Sequence, residues 1–268
     1  MPPSGVKPDI PEVADATGVQ YVLTISRRSG PVEAQVTTPT VAGALNERNA
    51  SRFVVAGALA PALYDIRGSR LRALPGLVEV HADPVRFRVA ADPRARGLHL
   101  SCGAALYNLR LSSAQVGYEP VVRILPNRGH PTLLASVRLA GPRRSRPEER
   151  LLYAASLRPL PGRQPYGHQR PPLPVLQELR EVTRLEGAAL HLLPPGGGPQ
   201  TAVVATSGDG PEAWLRTGQA LQSLLLHGAV RAVSVSFLSE VSRVPGASEG
   251  LSPGEVPQVV VELARTGL

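Results

Sequence analysis

Two helix-length runs in this chain must each bury an apolar stripe, and any fold has to satisfy both. In residues 94–118, Leu98, Cys102, Ala105, Leu106 and Leu109 fall at i, i+4, i+7, i+8 and i+11, one face of an α-helix. Gly103, Ala104 and Ala105 lie in the same run, and side chains that small let a neighbouring element approach closely. The second run opens on Asp209 and Pro211, a helix-start signal, and carries Trp214, Leu215, Gly218, Leu221 and Leu225 along one stripe to about residue 230. Strand patterns follow each helix, over residues 120–125 and 133–139 in the first half and 233–238 and 257–263 in the second. A long apolar helix followed by strands, given twice, predicts an α+β chain with an internal pseudo-duplication.

The remaining segments fit around these helices. Residues 20–25 and 31–38 read as short strands joined by a turn, and residues 39–63 carry a helical pattern. Residues 77–82 alternate as a strand, 146–157 and 173–185 are helical, and 188–193 and 201–206 are strands around a tight Gly/Pro loop. The polar, basic stretch 140–150 marks the seam between halves. Residues 158–174 hold too many prolines for regular structure. Residues 1–19 lack periodicity and are expected to be disordered. Aromatics make up only 4% of the chain, so the core must be built from Leu, Val and Ala.

Charge and composition exclude several functions. The single cysteine, Cys102, rules out an internal disulfide framework and a Cys-rich zinc site, and it fits a reducing compartment. No long apolar run or leader pattern is present, so a cytoplasmic protein without a membrane span is expected. The formal charge of +8 comes almost entirely from scattered Arg, with neither a basic face nor stacking aromatics, and nucleic-acid binding is not expected. The six histidines show no metal-ligand spacing, and no metal is expected. Gly246-Ala247-Ser248-Glu249-Gly250 satisfies a nucleophile-elbow pattern, but Pro245 before it and Ser252-Pro253-Gly254 after it predict a loop. Cys102 sits on an apolar stripe with no basic partner nearby, which predicts a buried, inert thiol.

Two blocks carry a resemblance. One runs from Leu77-Val78-Glu79-Val80-His81-Ala82-Asp83 through Leu100-Ser101-Cys102-Gly103-Ala104-Ala105-Leu106-Tyr107-Asn108-Leu109 to Val116-Gly117-Tyr118-Glu119-Pro120. The other joins Ala205-Thr206-Ser207-Gly208-Asp209 and Trp214-Leu215-Arg216-Thr217-Gly218-Gln219-Ala220-Leu221-Gln222, ending near Phe237-Leu238-Ser239. Together they resemble the Acg-like, nitroreductase-related flavoproteins of actinobacteria. The resemblance implies a nitroreductase-like fold with two pseudo-repeated halves fused in one chain. Its divisions are a variable, partly disordered segment over 1–39, an N-terminal half over 40–145 and a C-terminal half over 146–268. It also implies FMN and NAD(P)H-dependent oxidoreduction, with Arg163 and Ser239 as the cofactor-binding positions and no catalytic residue assigned. The expected partner is a small molecule or a protein in the cleft, and the expected assembly a pseudo-dimer within one chain or a homodimer.

The flavin motifs of that family are altered. Where members carry Ala-Pro-Ser-x-His-Asn-x-Gln-Pro-Trp, this chain has Ala60-Pro61-Ala62-Leu63-Tyr64-Asp65-Ile66-Arg67-Gly68-Ser69. Ala62 offers no hydroxyl, and the Asp65 carboxylate opposes the negative charge of a reduced flavin. The phosphate-gripping Arg-Arg-Thr-Asn-Arg-Arg-Pro-Phe becomes Pro159-Leu160-Pro161-Gly162-Arg163-Gln164-Pro165-Tyr166. Losing two or three charged hydrogen bonds, at roughly 1.5–3 kcal/mol each, weakens FMN affinity by orders of magnitude. A long covering insertion of the family is replaced by the short loop from Pro194 to Gln200. Three readings stay open: a flavin oxidoreductase with a modified grip, a pseudoenzyme, and a cofactor-free biosynthetic enzyme using Tyr64, Asp65, Arg67 and Arg163.

Overall fold

The computed structural model describes residues 21–25, 34–35, 49, 52–53, 56–57, 60, 69–83, 94–158, 167–238 and 246–266. The first sheet contains β1 (Tyr21–Ile25), β2 (Ala34–Gln35), β3 (Ser69–Leu74), β4 (Leu77–Ala82), β5 (Tyr118–Ile124) and β6 (Leu133–Pro142), in the spatial order β2-β1-β3-β4-β6-β5. The second contains β7 (Ala189–Leu192), β8 (Gln200–Ser207), β9 (Val233–Leu238) and β10 (Glu255–Arg265), in the order β7-β8-β10-β9. Every pairing between these strands is antiparallel. Among the described residues four helices accompany them: α1 (Arg96–Gln115), α2 (Pro147–Ser156), α3 (Leu173–Leu185) and α4 (Pro211–Val230). Helical residues also occur at Asn49, Arg52, Phe53, Ala56 and Gly57.

The expected mixture of strands and helices is present, and the paths through the two sheets coincide. From β3 the chain passes through β4, α1, β5 and β6; from β7 it passes through β8, α4, β9 and β10. In each sheet the fourth of these strands lies between the second and third. Both intervening helices are 20 residues long. One constant interval in sequence relates Leu100 to Leu215, Gly103 to Gly218, Ala105 to Ala220, Leu106 to Leu221 and Leu109 to Leu224. It also relates Gly117 to Ala232, which end the two helices in the left-handed region, at φ 94° and 53°, just before β5 and β9.

Neither helix is amphipathic in the ordinary sense, because most of the circumference of each is buried. Leu98, Cys102, Leu106 and Leu109 of α1 pack on the first sheet, with Leu71, Val78, Val80, Leu134 and Val137. Leu221, Leu224 and Leu225 of α4 pack on the second, with Val204, Val235, Val261 and Leu263. The opposite faces pack on each other. A Cβ on Gly103 would stand 2.2 Å from the Leu215 carbonyl oxygen, and one on Gly218 would stand 2.1 Å from that of Leu100. Only hydrogen fits at both positions, so the backbones come together without intervening side chains. The exchange is reciprocal: Leu215 of α4 enters the first core, and Leu100 of α1 enters the second.

Polar groups clasp the N-terminal end of this helix pair. Trp214 donates its indole N–H to Asp209 at 2.7 Å, and Arg94 lies 3.3 Å from the same carboxylate and 5.9 Å from the Trp214 ring centroid. His99 meets Trp214 edge-on at 5.5 Å and uses its Nδ1 on the Ala95 carbonyl at 2.6 Å. Trp214 holds the Asp209 carboxyl below the usual carboxylate range, with help from Arg94 and Arg96 and against burial. A carboxyl shifted down binds fewer protons folded than unfolded. Its contribution is therefore complete above its unfolded value, near pH 4, and fades as the pH falls through the folded one.

One strand, β3, escapes the sequence pattern. Leu71 and Ala73 face the core while Arg70 and Arg72 pair across to Asp83 and Glu79, so long charged side chains conceal a period of two. The expected 31–38 strand is the short β2, and β10 extends beyond both ends of its expected range. Much of the helical pattern at 39–63, the 1–19 segment and residues 159–166 lie outside the described residues.

Two consequences are measurable by urea unfolding. Gly103→Ala pushes the two helix backbones apart and lowers stability by about 3 kcal/mol. Asp209→Asn costs about 1 kcal/mol at pH 7, the value for a hydrogen bond to a charged group reduced for partial exposure, and that difference shrinks as the pH is lowered towards 3.

Candidate functional site

Away from the glycine contact, polar side chains enter the seam between α1 and α4. On one side Gln222 donates its Nε2–H to Asn108 at 2.8 Å, and Asn108 donates to the Ala56 carbonyl at 2.8 Å. On the other side Tyr107 stands beside Ser223. The constant interval that relates the helices pairs Tyr107 with Gln222 and Asn108 with Ser223, so the two corners occupy equivalent places.

Their fates differ. The Asn108 corner is closed by Ala56, with Phe53 fully buried and Ala60 packed on Ala104 and Ala105. The Tyr107 corner opens into a cavity of about 510 Å³ between α1, α4, α2, α3 and the start of β5. That volume is in the range of a small-molecule site. Leu111, Pro120, Leu152, Val182 and Leu185 supply apolar wall. Two smaller recesses adjoin it: one of about 300 Å³ shares Glu148, Glu178 and His227, and one of about 470 Å³ shares Arg110, Pro120 and Glu186.

The cavity floor comes from successive turns of the buried helices. Ser223 and His227 are one turn apart on α4, and Tyr107, Arg110 and Leu111 lie on the facing turns of α1. His227 is almost fully buried, and its Nδ1 lies 2.8 Å from the Ser223 carbonyl and 3.3 Å from the Ser223 hydroxyl. A carbonyl can only accept, so Nδ1 carries the hydrogen and donates it there. That leaves Nε2 to face a Glu148 carboxylate oxygen at 3.6 Å, an ion pair at the cavity edge whose Glu148 side chain is 64% exposed. Burial pushes the Tyr107 phenol up to about 12, with the Ser223 hydroxyl as the largest opposing influence, so Tyr107 stays neutral at physiological pH.

Charged side chains at the rim are mostly committed to one another. Arg110 pairs with Glu186, reaches Gln219 at 3.3 Å and lies 5.3 Å from the Tyr107 ring centroid. Arg143 joins Glu149 to Glu119, at 2.9 Å from the latter. Arg231 grips both oxygens of Glu178, at 3.0 and 2.8 Å, and that contact lowers the Glu178 carboxyl below its ordinary range. The orientation of α2 follows from Pro147 in its first turn and from Glu149, which accepts the Arg146 backbone N–H at 2.7 Å and so directs Glu148 and Leu152 to the cavity.

Arg163 and Ser239 lie outside the described residues, as do Tyr64, Asp65 and Arg67. The altered loop from Pro194 to Pro199 is described. It joins antiparallel β7 and β8 without a helix, and Gln200 ties its base by donating to the carbonyls of Leu193 and Thr201 at 2.8 and 2.7 Å. Ser248 lies in a run of turns before β10, not between a strand and a helix, as its flanking prolines predict. Cys102 is fully buried in the first core, and burial raises its thiol to about 12. Among the described residues no three His, Cys, Asp or Glu side chains converge as metal ligands, and no helix is long and apolar enough to cross a membrane. The sequence assigns no site role to Tyr107, Ser223 or His227; their one signal is that they are polar residues within apolar helices.

No known family model and no curated protein matches this sequence.

The state of Cys102 can be checked directly. The folded protein will not react with Ellman's reagent over minutes, whereas the protein in guanidinium will release one equivalent of thiolate at once. Fast release from the folded protein would show that α1 does not seal the first core.

Proposed function

We propose that this chain is a nitroreductase-like protein built from two related halves, that it has lost the ordinary grip on FMN, and that it holds a small organic ligand in the cleft between those halves. The observation that carries the reading is the reciprocal crossing of α1 and α4, two helices of equal length that share one Leu-x-x-Gly-x-Ala-Leu-x-x-Leu pattern. The residues behind the family resemblance, Ser101 to Leu106 and Trp214 to Leu221, are those that make this crossing and the cores on either side. They speak for a shared scaffold, and a scaffold does not fix chemistry.

The altered flavin motifs and the short β7–β8 loop support the loss of FMN. A flavin held by Arg163 and Ser239 alone would lack most of the charged hydrogen bonds that fix its phosphate. What the cleft offers is a neutral phenol, a hydroxyl and an imidazole whose Nε2 faces a carboxylate, all on rigid helices. Such groups suit binding of a polar head, or proton transfer to and from it, more than hydride transfer by an isoalloxazine. The reading covers a binding protein and a cofactor-free enzyme, and the imidazole of His227 favours the latter as the second possibility.

An absorbance spectrum of the purified protein separates this reading from a working flavin oxidoreductase. The expected result is a colourless protein that takes up no FMN during titration and does not oxidise NAD(P)H in its presence. A yellow protein that retains stoichiometric flavin through gel filtration overturns the reading.

A further inference from the structure

We propose that α2 and its flanks dock this protein on an anionic lipid surface, with Leu151 and Leu157 at the acyl boundary and Arg144, Arg146, Arg150 and Arg158 on the phosphates. The inference goes beyond the cleft and does not depend on what the cleft holds.

It begins with where apolar side chains meet water. Among the described residues the exposed large hydrophobics are Leu151, Leu157, Leu173 and Leu185, all of them on α2, on α3 or at the residue that caps α2. Single exposed leucines are ordinary on a protein surface, but four drawn from two consecutive helices and from no other described element are a concentration. On α2 the exposed leucines take no part in holding the helix down. Leu152 does that, packed with Tyr107, Leu111 and Leu226, and Ser156 is buried one turn further on. At about 100° per residue, Arg150, Leu151, Ala154, Leu157 and Arg158 fall on the opposite side, and all five are exposed. Leu157 keeps helical dihedrals past the last turn, and Arg158 donates its backbone N–H to the Ala155 carbonyl at 3.1 Å, so the arc runs unbroken to Arg158.

Charge identifies the partner that fits this arc. Residues 143–158 hold five arginines and two glutamates. Both glutamates are engaged elsewhere: Glu149 is bound by Arg143 and by the Arg146 backbone N–H, and Glu148 stands at the cavity edge against His227. Arg143 is thereby committed, to Glu119 as well as to Glu149. Arg144, Arg146, Arg150 and Arg158 are exposed, and none has a carboxylate at ion-pair distance among the described residues. The outward side of α2 therefore presents cations and leucines without an acid.

The alternation of the two favours lipid over protein. Cores of protein interfaces are depleted of charge, which is confined to the rim. Here each leucine has an arginine as its neighbour, Leu151 beside Arg150 and Leu157 beside Arg158. That arrangement matches the headgroup zone of a bilayer, where leucines reach the acyl boundary while guanidiniums stay at the phosphates. A zwitterionic surface answers the leucines but not the four free cations, so the lipid is an acidic one. A helix of ten residues lies on such a surface and does not span it.

The test is sedimentation of the full chain with vesicles of phosphatidylcholine alone, or of phosphatidylcholine with about one-third phosphatidylglycerol. Binding to the mixed vesicles is expected to be roughly ten-fold tighter or more, and to weaken as salt is raised. Arg150→Gln with Arg158→Gln should weaken it roughly twenty-fold, the effect of two basic residues at a charged bilayer. Leu151→Ser with Leu157→Ser should weaken it about ten-fold and leave circular dichroism unchanged, because neither side chain serves a core. Arg123→Gln with Arg138→Gln removes the same charge from exposed positions of β5 and β6, and should change binding less than about two-fold. Failure to sediment with the mixed vesicles, equal binding to neutral ones, or unchanged binding in the leucine pair overturns the proposal. An equal loss in the Arg123 and Arg138 pair overturns it too, since net charge alone then accounts for binding. So does a dimer in solution that the leucine pair abolishes while vesicles bind nothing, which assigns the arc to a second copy of this chain. None of these outcomes touches the flavin spectrum, so failure here leaves the flavin-free reading standing.

Discussion

The contact on which the molecule depends is the one between two glycines. Gly103 and Gly218 bring the α1 and α4 backbones so close that a methyl group on either would overlap a carbonyl oxygen of the other helix. From that approach the layers follow. Each helix turns one face to its own sheet and the other to its partner, which leaves almost no circumference for solvent. The exchange of Leu100 and Leu215 between the two cores means that neither half completes its interior alone. Packing at this density transmits the position of one helix to the other, so the seam is rigid where a site needs rigidity.

Polar residues in the seam are the second consequence. Two helices buried nearly all round have no solvent face, and their Asn, Gln, Ser, Tyr and His side chains must find partners or line a cavity. At one corner Asn108 links Gln222 to the Ala56 carbonyl, while Gln222 Oε1 stays buried without a partner. At the other they line a cavity, with Tyr107, Ser223 and His227 beneath about 510 Å³ of space. Equivalent positions thus serve structure in one half and a candidate site in the other. The difference is made by the elements laid across them: the helical residues around Phe53 on one side, α2 and α3 on the other.

Much of this architecture was legible in the sequence. The stripes through Cys102 and Trp214 placed α1 and α4, Pro211 marked the start of the latter, and Gly103 with its small neighbours announced a close approach. Strand β3 was hidden because Arg70 and Arg72 alternate with its core residues and are satisfied by carboxylates across the sheet. The candidate site was illegible for a different reason. Tyr107, Ser223 and His227 are far apart in sequence or spaced at one helical turn, and a lone polar residue in an apolar helix reads as a satisfied core group. Only the crossing of the helices shows that three of them face one space.

Held at the glycine contact, the two sheets with their helices form a single unit, and the cavity over Tyr107 is a product of that union. Trp214, the sole tryptophan, packs on His99 across the helix pair, and far-UV circular dichroism reports the sheets and helices of both halves. Urea unfolding of the full chain followed by both signals tests the claim most directly. Superimposable transitions with one midpoint are the predicted result. Loss of the Trp214 signal while much of the circular dichroism persists would show that the halves stand apart, and would contradict the account.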